Sequence, residues 1–214
     1  GDGVYGGAFV AALYAEAYFE SDISKIIAKA LLSVPAESDY SKIVNDVILL
    51  HKQYPTDWRA AWKELEGKWG HVQICGAGSL FNIDAKFNGA FIVMGLLYGE
   101  GDPAKTLEVS TRCGQDSDCN PSNAMAVLGV IKGLSGLPAE YQSAVIAIGD
   151  SLFINTDYSF NKAVDKTLEY AQNLAVQNGG ESTATELKIK VQQPQAMAFE
   201  VAFPKLVFDK RVTV

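Results

Sequence analysis

Apolar residues recur at steps of three and four through most of this chain. Phe87, Ala90, Phe91, Met94, Leu97 and Tyr98 fall on one helical face, and so do Ala124, Val127, Leu128, Ile131 and Leu134. Between these two helices lies the turn Gly99-Glu100-Gly101-Asp102-Pro103, which stops the first and starts another. Asp102 suits the N-cap there, because its carboxylate accepts from free N–H groups, and Pro103 suits the first helical position. Gly133, Gly136 and Pro138 end the later helix. Further helices are expected at about 6–20, 22–33, 40–53, 57–68, 104–112, 139–148 and 160–177. Trp58, Trp62, Leu65 and Trp69 form a stripe at steps of four, three and four. Such a stripe packs between helices more often than it offers a sugar platform.

The period changes after Gly179-Gly180. Leu187, Ile189 and Val191 alternate with Glu186, Lys188 and Lys190, the pattern of a strand with one buried face. Phe199, Val201 and Phe203 alternate likewise, and 206–214 reads as a third extended stretch. The expected architecture is an all-α helical body over 1–180, followed by a short antiparallel β appendage over 181–214. So few strands are marginal alone. They are expected to pack on the helices or to lead into a further domain.

Composition narrows the function. The 214 residues are 48% hydrophobic and 20% charged, with a net charge of −7. That describes a globular chain with a core. The acidic balance argues against nucleic acid and against docking on an anionic membrane. No apolar run reaches the roughly 18 residues of a membrane span. No processing segment reports a compartment. Cys75, Cys113 and Cys119 are an odd number and make no disulfide framework. Cys113 and Cys119 lack a Cys-x-x-Cys spacing and a nearby histidine, which argues against a zinc site. His51 and His71 have no acid or nucleophile at motif spacing.

Chemistry concentrates in the loop Arg112-Cys113-Gly114-Gln115-Asp116-Ser117-Asp118-Cys119-Asn120-Pro121. Asn120 is expected to cap the next helix, with Pro121 at its first position. Gly114 permits unusual backbone angles. Asp116 and Asp118, two residues apart in a turn, can aim at one point, and hard cations such as Mg²⁺ take carboxylate oxygens. Alternatively, both only complement the positive end of the helix. Spacing alone favours this second reading, because Asp-x-Asp is a common pair.

The surroundings reverse that preference. Gly114-Gln115-Asp116-Ser117-Asp118-Cys119-Asn120 resembles the second metal motif of the ADP-ribosylglycohydrolase family, which typically reads Gly-Gly-Asp-Thr-Asp-Thr-Asn. Three further stretches look like that family. They are Gly99 to Leu107 before the loop, Gly133-Leu134-Ser135-Gly136-Leu137-Pro138 after it, and Ala30-Leu31-Leu32-Ser33-Val34-Pro35 followed by Ser38. The resemblance runs over about 1–150. It implies the family's all-α fold, with Asp116 and Asp118 as ligands of a divalent metal, usually Mg²⁺ in pairs. The position of Cys119 joins them, where the family often uses a threonine hydroxyl. The implied partner is ADP-ribose or an ADP-ribosylated substrate, and the implied reaction is hydrolysis of its glycosidic bond. Gly1-Asp2-Gly3-Val4-Tyr5-Gly6-Gly7 sits where relatives carry a glycine-rich loop lining the pocket. Gly3, Tyr5, Gly6, Gly7 and Gly114 are thus implied substrate contacts, although a plain helix start explains the first four equally well.

Two departures stand out. Gln115 replaces the second glycine, and Cys119 replaces the threonine with a soft thiol that suits Mg²⁺ poorly. The family's first metal motif, Thr-Asp-Asp-Thr-like, has no counterpart; Asp2 and Asp84 read as lone acids. The abrupt Gly1-Asp2-Gly3 start therefore reads as a cut inside a longer polypeptide that supplies the other half of the site. On that reading the chain alone binds metal weakly, is inactive and self-associates through exposed apolar surface. The competing expectation is a non-catalytic ADP-ribose-binding or structural relative. A third is hydrolysis of a different glycosidic substrate on the same fold. No residue stands out as the catalytic acid or base.

Overall fold

The computed structural model describes residues 1–72 and 82–200. Cys75, Val201, Phe203 and the expected strand 206–214 lie outside the described residues. The helical expectation holds closely: nine α-helices follow one another among the described residues. They are α1 (Asp2–Ala17), α2 (Ile23–Ala30), α3 (Asp39–Gln53), α4 (Trp58–Trp69), α5 (Ala85–Gly99), α6 (Pro103–Arg112), α7 (Cys119–Lys132), α8 (Ala139–Ile148) and α9 (Phe160–Gln177). Short 3₁₀ turns at Leu31–Ser33, Gly70–Val72 and Leu134–Gly136 extend or join them.

Local capping explains most of the starts. The side chains of Asp22, Ser38, Asp57, Asp84, Asp102 and Ser159 each accept from an N–H in the first turn of the following helix. Asp102 caps α6 through the Lys105 N–H at 2.8 Å, with Pro103 next, as the sequence leads one to expect.

The chain forms two compact units. One is Gly1–Ile131 together with 194–200, and the other is Lys132–Gln193. The centre of the first is α5, which packs against α6, α3, α1 and α2. This helix is buried on every side: Phe87, Ala90, Phe91, Ile92, Val93, Met94, Leu96 and Leu97 all belong to the core. A helix apolar all round belongs inside a protein rather than on its surface. Phe9 and Leu13 of α1, Ile26 and Ile27 of α2, Tyr40 and Ile43 of α3 and Leu65 of α4 complete the surrounding shell.

Two glycines let α6 approach α5 closely. A Cβ on Gly99 would lie 2.0 Å from Thr106 Oγ1, and one on Gly95 would lie 2.6 Å from Ser110 Cβ. The Gly-x-x-x-Gly step thus meets the Thr106–Ser110 step across the interface. The tryptophan stripe is a packing feature. Trp62 Nε1 donates to Cys113 O at 2.9 Å, and Trp69 Nε1 donates to Asp46 Oδ2 at 2.7 Å. His51 stands edge-on to the Tyr98 ring, with centroids 4.7 Å apart. Partial burial holds its pKa below the ordinary histidine value, against the opposing pull of Glu100.

Two sequence expectations change. The glycine-rich stretch after Gly1 is not a loop; it forms the first turns of α1, which starts at Asp2 rather than near residue 6. The antiparallel appendage is present but minimal. β1 (Glu181–Ser182) pairs with β2 (Leu187–Lys188), in the register Glu181↔Lys188 and Ser182↔Leu187. Ile189 and Val191 lie beyond the pairing and are exposed, so the expected buried face is missing. A two-residue partner cannot pair a five-residue strand. Phe199 lies outside any strand and is half exposed. The segment around it lies along the first unit instead: Met197 N–H donates to Ser33 O at 3.3 Å, and Glu200 N–H donates to Tyr5 Oη at 2.7 Å.

In the second unit, α8 has no buried residue and α9 has only Ala175. Ile146, Ile148, Val164 and Leu168 are exposed.

Candidate metal centre

The loop that leaves α6 turns on two consecutive left-handed residues. Gly114 has φ 92° and Gln115 has φ 55°. Glycine adopts that region freely, whereas a side chain there costs about 1–2 kcal/mol. The family pattern has glycine at both positions. Here Gln115 offsets its strain with a bond of its own, since its Oε1 accepts the Asp84 N–H at 3.0 Å.

The reversal brings Asp116 against α5. Its N–H donates to Asn88 Oδ1 at 3.2 Å, and its Oδ1 accepts the Cys119 N–H at 3.1 Å. Asp116 therefore provides the side-chain bond at the head of α7, which begins at Cys119. Asn120 is not the cap. It is buried in the first turn, and its Nδ2 donates to Asn88 Oδ1 at 3.0 Å and, more distantly, to Gly114 O at 3.5 Å. Pro121 is accommodated because its missing N–H falls among the first-turn groups that have no intrahelical partner.

One ligand atom from each of Asp116, Asp118 and Cys119 lies within 4.8 Å of the others. Asp116 is partly buried, whereas Asp118 and Cys119 are exposed. Partial burial works to raise the Asp116 pKa. Hydrogen bonds from the Cys119 backbone, the Cys119 thiol and the Asp118 backbone outweigh it, and the carboxyl stays below its usual value. Asp116 is thus an anion at neutral pH. The Cys119 thiol is pushed up, first by its hydrogen bond to Asp116 and then by the charge of that carboxylate. Cys113 takes no part, because it is buried with its sulfur 3.9 Å from Met94 Sδ.

Asp2 and Asp84 are not lone acids. Lys86 Nζ lies 2.8 Å from Asp84 Oδ2 and 3.6 Å from Asp2 Oδ2, with the Lys86 side chain 5% exposed and that of Asp84 0%. This ion pair joins the start of α1 to the start of α5, close to Asn88. In the sequence, Lys86 carries no signal beyond its charge inside an apolar helix, a combination that demands buried partners. Asn88 reads there only as a polar neighbour of Asp84 that caps the helix or borders the pocket. Its distance along the chain from the Asp-x-Asp motif conceals its role as acceptor for both Asp116 and Asn120.

The residues implied as substrate contacts fall in two places. Gly114 is in the loop; Gly3, Tyr5, Gly6 and Gly7 are on α1. Gly3 and Gly7 are exposed. Tyr5 is buried, its hydroxyl donating to Ala198 O at 3.5 Å. Gly6 faces Tyr40, whose ring would lie 3.1 Å from an added Cβ. Farther along the same helix, Tyr14 Oη donates to Asn123 Oδ1 of α7 at 2.7 Å.

With this arrangement in place, the comparison with known sequences is decisive. The family model described as ADP-ribosylglycohydrolase matches residues 1–178. The chain belongs to the ADP-ribosylglycohydrolase family. No curated protein and no solved structure matches it. The match covers α1 to α9 and the Asp-x-Asp loop, and it accords with a helical fold. Members of that family act on ADP-ribosylated substrates. Among the described residues, no helix is long and apolar enough to cross a membrane.

The dependence of the loop on Asn88 leads to a first expected result. Asn88→Ala removes the acceptor of two hydrogen bonds and frees the Asp116 backbone. Divalent-cation affinity should fall roughly 10–100-fold, as when other outer partners of metal ligands are removed. Calorimetric titration with Mg²⁺ checks it, alongside a thermal melt to register any loss of stability.

Proposed function

We propose that this chain carries a divalent-cation-dependent hydrolytic site. Its reaction is cleavage of the glycosidic bond between ADP-ribose and a protein side chain, or a related ADP-ribosyl substrate. The observation that carries the proposal is the convergence of Asp116, Asp118 and Cys119 at the head of α7. The donor set fits a cation: two carboxylates supply the hard oxygens that Mg²⁺ takes, and they leave its other positions to water or substrate. A bound cation would orient the ribose hydroxyls and stabilise developing negative charge.

The chain's own residues divide the work. Asp116 and Asp118 hold the ion. Asn88 and Gln115 hold the loop in register with α5. Gly3, Gly7 and Gly114 are the proposed lining of the pocket, on the strength of the family pattern. The family's paired ions would require further acids beyond this group.

Calorimetry tests the proposal. The folded chain is titrated with Mg²⁺ and then with ADP-ribose, with and without a chelator. The expected result is ADP-ribose binding that disappears on chelation. Absence of heat from both ligands, with the protein demonstrably folded, would overturn it. Release of ADP-ribose from an ADP-ribosylated protein would establish turnover rather than binding alone.

A further inference from the structure

We infer that Cys119 opens this centre to thiophilic divalent cations, which bind at the same three donors and displace Mg²⁺. The inference rests on the metal reading proposed above and concerns how that site is regulated. The family pattern places a threonine oxygen where this chain has sulfur. Cys119 is a free, exposed thiol, and its sulfur lies in the same 4.8 Å group as one oxygen from each aspartate. Donors sharing one ion sit up to about 4.4 Å apart, given metal–oxygen bonds of about 2.1 Å and metal–sulfur bonds of about 2.3 Å. The three donors must therefore draw together from within 4.8 Å to share one ion, a change that rotation of the exposed Asp118 and Cys119 side chains can supply.

Sulfur changes which ions gain from the third donor. Mg²⁺ bonds oxygen and gains little from a thiol, whereas Co²⁺, Zn²⁺ and Cd²⁺ accept both carboxylate and sulfur. Binding such an ion replaces the hydrogen bond from the Cys119 thiol to Asp116 with a sulfur–metal bond, and the thiol proton passes to the buffer. Asp116 and Asp118 remain ligands throughout, so the two classes of ion compete for one place. Cys113 offers no alternative sulfur, since it is buried against Met94. In the coordination sphere of a thiophilic ion the sulfur fills a position that Mg²⁺ leaves to water or substrate. Such an ion would therefore inhibit the Mg²⁺-dependent reaction by replacing Mg²⁺.

The test uses the full chain with Co²⁺ as an absorbing probe. The wild type should develop a sulfur-to-cobalt charge-transfer band in the near ultraviolet, and added Mg²⁺ should compete it away. Cys119→Thr should lose that band and bind Co²⁺ roughly tenfold or more weakly. Its Mg²⁺ affinity, read by calorimetry, should rise, because threonine supplies an oxygen. Mg²⁺ binding with no Cys119-dependent cobalt band would overturn this inference and leave the Mg²⁺ site standing. A band that survives in Cys119→Thr would also overturn it, by placing cobalt on another sulfur. Binding of neither Mg²⁺ nor Co²⁺ would overturn both proposals.

Discussion

Asp116→Asn is expected to remove divalent-cation binding while leaving the protein folded. Asp116 does two jobs. Its Oδ1 accepts the Cys119 N–H at the head of α7, and its carboxylate supplies charge to the group formed with Asp118 and Cys119. Alanine would abolish both and so confound them, at a capping cost of about 0.5–2 kcal/mol. Asparagine keeps a side-chain oxygen at the cap, where it performs about as well as aspartate, and loses only the charge. Two carboxylates are few for an octahedral cation, so the loss of one leaves a single hard anionic ligand. Mg²⁺ affinity should fall by roughly 100-fold or to below detection, a larger loss than that of an outer partner. The unfolding midpoint should move little. Calorimetry and a denaturant titration on the same preparation check both halves. If Asp116→Asn retained full Mg²⁺ affinity, the aspartate would be a helix cap and nothing more.

The largest stability effect is expected at Asp84. Its carboxylate is fully buried, accepts the Lys86 and Phe87 N–H groups, and pairs with the buried Lys86 ammonium at 2.8 Å. Asp84→Ala leaves that ammonium inside the protein with Asp2, at 3.6 Å, as its remaining carboxylate neighbour among the described residues. Removing one partner of a buried pair costs about 3–5 kcal/mol, and loss of the cap adds about 1 kcal/mol. Such a sum is a large part of the stability of an ordinary domain. Urea denaturation should show a much lower midpoint. Combining Asp84→Ala with Lys86→Met should recover much of the loss, because the stranded charge, not the missing contact, dominates it. A loss under about 1 kcal/mol in the single variant would mean that Lys86 reaches water or Asp2 at little cost. The substitution should also loosen the Asp-x-Asp loop, since the Asp84 N–H donates to Gln115 and α5 presents Asn88 to Asp116.

These two sites differ in how far the sequence reveals them. Asp116 and Asp118 stand out because their loop carries a motif at fixed spacing between two periodic helices. The cluster of Asp84, Lys86 and Asp2 does not, because Asp2 comes from a different helix far away in the chain and the burial that forces the three together is a tertiary property. Asn120 shows the same limit on a smaller scale. Its sequence context is that of a cap, yet Asn88 takes its side chain and Asp116 takes the cap. The glycines after Gly1 mislead for a related reason. Glycine disfavours an isolated helix by about 1 kcal/mol each. In the fold, Gly6 makes room for Tyr40, and Tyr5 and Phe9 bury themselves in the core.

What the chain dictates locally is the order, number and rough limits of its helices. Their apolar periods and their Asp and Ser caps involve groups three or four residues apart, and such bonds form wherever the helix does. The Asp-x-Asp loop belongs to this class, since its left-handed turn and its place before α7 are short-range features. Tertiary packing decided the rest: which acids found the buried lysine, which asparagine anchored the loop, and that the two-residue strands pair without a buried face. These outcomes rest on the burial of polar groups against partners far away in sequence, whose positions exist only once α1, α5 and α7 have come together.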